Sequence, residues 1–196
     1  RVADSHRLLP ESGLHIVDEC FIRVKISLMA NSGAKLESIK SVRAHLVLLP
    51  QAQQFLDKHN IRADTAADSA GAAAKLAISK KLDEGVLASK LAAETYGLDI
   101  LAQDIEDYVH NTTRFLVMSR APNLERRGND KLMTTFVFQV RNIPAALYKA
   151  MGGFATNSVN MTKLESYMVG GSFTATQFYA DIEGHPDDKN VARALE

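Results

Sequence analysis

The chain has 196 residues, 23 Lys and Arg balanced by 23 Asp and Glu, and 46% hydrophobic residues. Neutrality argues against the excess of Lys and Arg that nucleic-acid or membrane-surface binding needs, and no apolar run approaches the ~20 residues of a membrane span. A single cysteine, Cys20, excludes an internal disulfide and fits a reducing cytoplasm, and six scattered histidines supply no ligand-spaced zinc set.

The chain opens "RVADSHRLLPESGLHIV", with no initiator Met and no signal-peptide core, and stops at "NVARALE" inside a helical pattern. It is therefore expected to be part of a longer protein. Residues 14–28, "LHIVDECFIRVKISL", alternate closely enough to predict strand character. "NSGAKLESI" predicts a turn and a short helical piece before a second apolar stretch, "SVRAHLVLL". Pro50 then starts a helix through "PQAQQFLDKHN" that ends at Asn60. "DSAGAAAKLAISKKL" predicts an Ala-rich helix capped by Asp68 or Ser69, with lysines near its carboxyl end. "GVLAS", a helix through "KLAAETYG" and a strand "RFLVMS" complete residues 1–120, and the alternation of strands with helices predicts an α/β layer.

Residues 121–131 hold Pro122, Gly128, two Asn and five charges with little to bury, which predicts a linker. Beyond it "TTFVFQV" has period two, with Phe136, Phe138 and Val140 on one face. Pro144 begins a helix through "AALYKAMGGFA". "VNMTKLESYMV" and "SFTATQFYADI" read as a hairpin about Gly170-Gly171, where both positions tolerate positive φ. "DDKNVARALE" starts a last helix. The order βαββα over 132–196 is one strand short of a ferredoxin-like βαββαβ module.

Two polar clusters invite chemistry. "DIEDYVH" gathers Asp104, Glu106, Asp107 and His110; Asp107 and His110 fall three apart on a helix as surface polar groups or a partner pair, and no second cluster completes a metal shell. "HNTTRFLVMS" sets polar groups directly before an apolar run, which alone reads as a polar turn leading into a strand.

With "VNMTKLESY", that second stretch resembles the bacterial prephenate dehydratase family, and the resemblance continues through "GLHIV", "QFL", "AAETYGL" and "RNIPAALYKAMGGFATNSVNMTKLES". It implies a periplasmic-binding-protein-like catalytic domain of two lobes, with prephenate between them, followed by an ACT domain that binds phenylalanine. The implied reaction removes water and carbon dioxide from prephenate to give phenylpyruvate, without metal or organic cofactor, in phenylalanine biosynthesis in the cytoplasm. Residues 1–120 correspond to part of the catalytic domain and 132–196 to the ACT domain without its last strand. The first lobe, with a Pro-Ile-Glu-Asn segment that lends a glutamate and an asparagine to the cleft, is expected ahead of Arg1.

The resemblance carries the donor to the leaving hydroxyl onto Thr113, an apolar wall onto Phe115, and a carboxylate clamp or a structural ion pair onto Arg114. The family's Ser-His-Pro-Gln stretch is matched here by Ala44, His45, Leu46 and Val47, so only the histidine is kept, and the resemblance implies that His45 is a substrate-binding residue. Gln51 matches the functional glutamine of the following helix, as a substrate ligand or simply a solvated glutamine. Ala67 falls where some members carry a glutamate, and Asp68, one place later, reads as a helix cap. In the ACT domain, Ala145, Ala146 and Leu147 match the family's Gly-Ala-Leu turn, where backbone amides meet the effector carboxylate. Asn160, Met161, Glu165 and Ser166 would complete the phenylalanine site, Asn160 and Glu165 facing its ammonium group. Tyr167 and Met168 replace the family's Arg-Pro. A homodimer or homotetramer is expected through exposed sheet edges. The rival expectation is a non-catalytic amino-acid-binding or assembly module derived from the same family.

Overall fold

The computed structural model describes residues 5–108, 110–126, 131–169 and 175–196. They divide into two compact units, residues 21–115 and residues up to 20 together with 116–196. The boundary falls inside two strands, β1 (His15–Arg23) and β7 (Thr112–Ser119), which pair as a two-stranded sheet. A short helix, α1 (Ser5–Glu11), precedes β1.

The run 14–28, expected as one strand-like stretch, is two strands in two sheets. β1 ends at Arg23, and β2 (Ser27–Ala30) belongs to the five-stranded sheet of the 21–115 unit. The residues between them are held by other partners. Val24 N–H donates to Asn111 O at 2.9 Å, the Glu106 carboxylate accepts from Ile26 N–H at 3.0 Å, and Lys25 pairs with Asp104 at 3.1 Å.

The five-stranded sheet has the order β4-β3-β5-β2-β6, with β3 Ser41–His45, β4 Arg62–Ala66, β5 Glu84–Ala88 and β6 Asp99–Ala102. β4, β3 and β5 are parallel, whereas β2 runs antiparallel to β5 and β6. β4 and β6 are additions to the elements expected from sequence. Both are edge strands, and "RADTA" exposes polar side chains that give no apolar alternation. Every residue of β2 is buried, because both faces of this central strand are covered. On one face Leu28, Ala30, Val42, Ala44 and Leu87 pack with Leu49, Ala52 and Leu56, from a 3-10 turn (Leu49–Ala52) and helix α2 (Gln53–Lys58). On the other, Met29, Val86 and Ala88 meet the small side chains of α3 (Ser69–Ser79) and α4 (Lys90–Tyr96). Gly85 is set by this packing, since a Cβ there would lie 2.7 Å from Leu28 Cδ1 and 3.2 Å from Met29 O.

Asp68, not Ser69, caps α3, its carboxylate accepting from Gly71 N–H. The lysines expected near the end of this helix lie beyond it, with Lys80 left-handed at φ 55°. Residues 103–108 do not form the helix that the 107/110 spacing suggested: 103–106 has no regular structure, and Asp104 takes positive φ.

In the other unit, β8 (Met133–Gln139), α5 (Ala146–Thr156), β9 (Met161–Met168), β10 (Ala175–Glu183) and α6 (Lys189–Leu195) reproduce the expected βαββα order. The sheet is antiparallel, ordered β8-β10-β9, with Tyr179 opposite both Val137 and Glu165. The Gly170-Gly171 turn lies outside the described residues. One sheet face carries Phe136, Phe138, Phe178 and Ile182, and Phe154 of α5 and Val191 of α6 close the apolar layer. The other face is polar yet buried, with Gln177, Tyr179 and Asp181 at most 8% exposed; Asp181 accepts from Thr135 Oγ1 at 2.6 Å. Within the linker expected over 121–131, Leu124 O accepts from His185 Nε2 at 2.8 Å and Arg126 pairs with Asp188. Asp188 also accepts from His185 N–H at 2.8 Å; this bond first, and the Arg126 guanidinium second, hold its carboxyl below the ordinary carboxylate range.

Candidate functional site

Ligands of open α/β sheets bind outside the carboxyl ends of strands, where the outgoing connections part to opposite faces. In the 21–115 unit that place is the end of β3. α2, which follows β3, covers one face, whereas α3 and α4, which follow its parallel neighbours β4 and β5, cover the other. Residues 45–54 leave the sheet there.

Their backbone is held from three directions. His45 N–H donates to Ser69 Oγ at 3.0 Å, tying the end of β3 to the start of α3, and the His45 ring Nδ1 accepts from Val47 N–H at 3.2 Å. Asp107 N–H donates to Gln51 O at 2.6 Å. The Asp107 carboxylate accepts from Gln54 N–H at 3.2 and 3.3 Å. It thereby serves as the cap of α2, whose own N-cap residue, Ala52, has no side-chain acceptor. Gln51, expected at a helix start, sits in the 3-10 turn that precedes α2. Its Nε2 donates to Val47 O at 2.7 Å and its Oε1 accepts from Asn111 Nδ2. Asn111 is the residue that sequence reasoning passed over, although it opens the Asn-x-Thr-Arg-Phe stretch; an amide immediately ahead of a strand was the available signal.

β7 starts at Thr112, so Thr113 and Arg114 lie inside a strand and not in a turn before it. Strand alternation then sends Thr113 and Phe115 to one face and Arg114 to the other. Thr113 and Phe115 are exposed and Arg114 is half-buried. Thr113 is two residues from Asn111, so the end of β3 is linked through Gln51 and Asn111 to the strand that carries the Thr-Arg-Phe residues.

The departures from the family stretch have plain positions. Ala44 is fully buried on the apolar face of β3, whereas Leu46 and Val47 are exposed. Ala67 is exposed beside Asp68, and Asp68 is occupied by its capping bond. The carboxylates of "DIEDYVH" serve three separate bonds, to Lys25, Ile26 N–H and Gln54 N–H. Among the described residues no group of three or more His, Cys, Asp or Glu is arranged to hold a metal ion, and no helix is long and apolar enough to cross a membrane.

In the other unit, the helix expected from Pro144 begins at Ala146 because Ala145 is left-handed, at φ 61° and ψ 14°. Ala146 N–H donates to Ile143 O at 3.2 Å, so one amide of this helix start is already engaged. On β9 a register shift between Asp181 and Ile182 puts Met161 opposite Ile182 in the apolar layer, whereas Glu165 lies opposite Tyr179 on the polar face and Ser166 opposite Phe178 on the apolar one. The Glu165 carboxylate accepts from the Tyr167 hydroxyl and lies 3.6 Å from Lys163 Nζ, and that ammonium sits 4.4 Å over the Tyr179 ring. Asn160 O accepts from Glu183 N–H at 2.9 Å. Ala145 to Leu147 and Asn160 to Ser166 therefore occupy the start of α5 and the strand β9.

Residues 1–123 match a family model described as prephenate dehydratase. A protein of Komagataeibacter europaeus named as a bifunctional N-acyl-homoserine lactone acylase/prephenate dehydratase is 45% identical over 196 residues, covering 100% of this chain and 70% of its own length. A solved structure described as GqqA, a novel type of quorum quenching acylases, superposes with a TM-score of 0.87 at 46% identity, over 100% of this chain and 71% of that one. The crystal structure of a prephenate dehydratase in complex with L-Phe from Arthrobacter aurescens gives a TM-score of 0.83 at 31% identity, over 93% of this chain and 60% of that one. The chain spans about half the length of other curated relatives, among them arogenate dehydratases/prephenate dehydratases of Arabidopsis thaliana, where it covers 52%.

Proposed function

This chain belongs to the prephenate dehydratase family, and from that premise we propose that the protein of which it forms a part catalyses the decarboxylating dehydration of prephenate to phenylpyruvate. Residues 132–196 act as its phenylalanine-responsive ACT domain, and the protein assembles as a dimer or tetramer. Prephenate carries two carboxylates and a ring hydroxyl. As the bond from ring carbon to carboxylate breaks, its electron pair enters the ring, the bond to the hydroxyl oxygen breaks, and the departing oxygen takes one proton to leave as water. Aromatisation supplies the driving force, so the protein's task is to orient the dianion and stabilise charge on the departing oxygen.

Gln51 is the substrate-positioning residue in this reading. The observation that supports it most is the fixed Gln51 amide at the carboxyl end of β3, joined through Asn111 to the strand bearing Thr113. Thr113, exposed on β7, donates to the departing oxygen; one well-placed donor of this kind is worth about 3–4 kcal/mol of barrier. Phe115 shares its face and excludes water, while Arg114, on the opposite face, acts on a carboxylate or holds the strand through an ion pair.

The test is turnover of prephenate by the full-length protein, followed by phenylpyruvate absorbance, with arogenate as a parallel substrate because some relatives bear that name. Thr113→Ala is expected to lower kcat by roughly 100- to 1000-fold at unchanged unfolding midpoint. An unchanged kcat overturns the role of Thr113. A second reading is favoured by the 45% identity to a bifunctional acylase: cleavage of the amide of an N-acyl-homoserine lactone. Release of free homoserine lactone from an N-octanoyl substrate that survives Thr113→Ala would assign that activity to other residues. Phenylalanine binding measured by calorimetry, with neither turnover, would leave the amino-acid-binding module as the function.

A further inference from the structure

We infer that Asn111 is a positioning residue that sets which end of the Gln51 amide faces the substrate; this rests on the reading of Gln51 as a substrate ligand. A glutamine amide has two N–H donors and a carbonyl acceptor, and which group it shows a ligand depends on which end its neighbours hold. Here both ends are held. One Nε2 hydrogen goes to Val47 O at 2.7 Å, and Oε1 receives the Asn111 amide N–H. A 180° turn of the Gln51 amide would set its NH2 against the Asn111 NH2 and its carbonyl against the Val47 carbonyl, so both bonds would become repulsions. The second Nε2 hydrogen is then the donor left for a ligand, and it suits a carboxylate.

Asn111 can impose this because its own backbone is pinned on both sides. Its N–H donates to Tyr108 O at 3.3 Å, and its carbonyl accepts from Val24 N–H at 2.9 Å, at the point where β1 and β7 converge. Asp107 fixes the other partner by donating to Gln51 O. Asn111 and Asp107, between β6 and β7, therefore do for Gln51 what an orienting carboxylate does for a catalytic histidine: with Val47 O they hold one of two orientations before the ligand arrives.

Asn111→Asp tests this, because a carboxylate accepts where the amide donated and favours the turned amide. The prephenate KM of the full-length protein is expected to rise on the order of tenfold to a hundredfold, the range for losing one hydrogen bond to a charged group, with a smaller effect on kcat. In a Gln51→Ala background the same substitution is expected to change KM no further, since the group it acts through is gone. Asn111→Ala, which removes the restraint without reversing it, is expected to fall between wild type and Asn111→Asp, and serves alone if the aspartate variant does not fold. An unchanged KM for both Asn111 variants overturns the inference. So does an equal rise in the Gln51→Ala background, the mark of a purely structural role. If Gln51→Ala itself leaves KM unchanged, or the wild type neither turns over nor binds prephenate, the underlying reading fails and Asn111 falls with it.

Discussion

Replacing Ala145 by glycine should not destabilise the protein, although the same exchange five residues later, inside α5, should. Ala145 sits at φ 61°, ψ 14°, immediately before the first residue of α5. An L-residue pays roughly 1–2 kcal/mol for the left-handed region, because its Cβ crowds the following carbonyl. Glycine escapes that cost but gives back roughly 0.4–1 kcal/mol through the greater freedom of the unfolded chain. The balance is a gain of about 0.5–1 kcal/mol, or roughly 1–4 °C in unfolding midpoint for a chain of this size. Ala150, inside α5, has ordinary helical backbone, and Ala150→Gly is expected to lose about 0.5–1 kcal/mol. Urea unfolding of the two variants, followed by far-ultraviolet circular dichroism, should move the midpoint in opposite directions at unchanged slope. Equal losses in both would refute the claim that Ala145 is strained, and with it the account of why α5 begins two residues after Pro144.

Two further outcomes follow from the packing and the charges. Gly85→Ala should destabilise the 21–115 unit by about 1–3 kcal/mol, because its Cβ would lie 2.7 Å from Leu28 Cδ1 with Met29 O behind it; a thermal midpoint within 1 °C of wild type would count against this. Asp188 has its carboxyl held below the ordinary range by His185 N–H and Arg126, so its contribution is full above the unfolded-state value of about 3.9 and disappears as pH falls toward its folded value. Asp188→Asn, which keeps an acceptor for His185 N–H but loses the charge, should flatten the acid limb of the stability profile below about pH 5, and an unaltered acid limb would dismiss the pair.

Sequence patterning found the elements whose burial is one-sided or whose ends carry their own signals. The cap of α3 was legible in Asp68, and the βαββα order of 132–196 in the alternation of "TTFVFQV" and the spacing of the two later strands. What escaped was set by partners distant in sequence. β4 and β6 are edge strands whose residues carry little apolar periodicity, and they are strands because β3 and β2 offer them ladders. The break between β1 and β2 depends on Asp104, Glu106 and Asn111, some eighty residues later, which take Lys25, Ile26 N–H and Val24 N–H. Gln51 was singled out through the family resemblance and Asn111 was not, because the bond that joins them exists only once the end of β3 and the start of β7 meet. The turn at Ala145 hides for another reason: alanine is a helix former, and nothing local announces a left-handed backbone.

The placing of β2 bears on how the protein is made. This strand, "SLMA", is central in its sheet, yet both of its neighbours, β5 and β6, come from residues 84–102. A nascent chain leaving the ribosome therefore presents β2 before either strand that will cover its edges exists. At roughly 5–20 residues per second, the fifty or so residues that separate β2 from β5 represent a wait of several seconds. β3 and β4 can pair and wrap α2 in the meantime, but the centre of the sheet closes last. An apolar strand that must wait for its partners is where chaperone binding during synthesis should concentrate, and where slowing translation just before β5 should cost the most soluble protein.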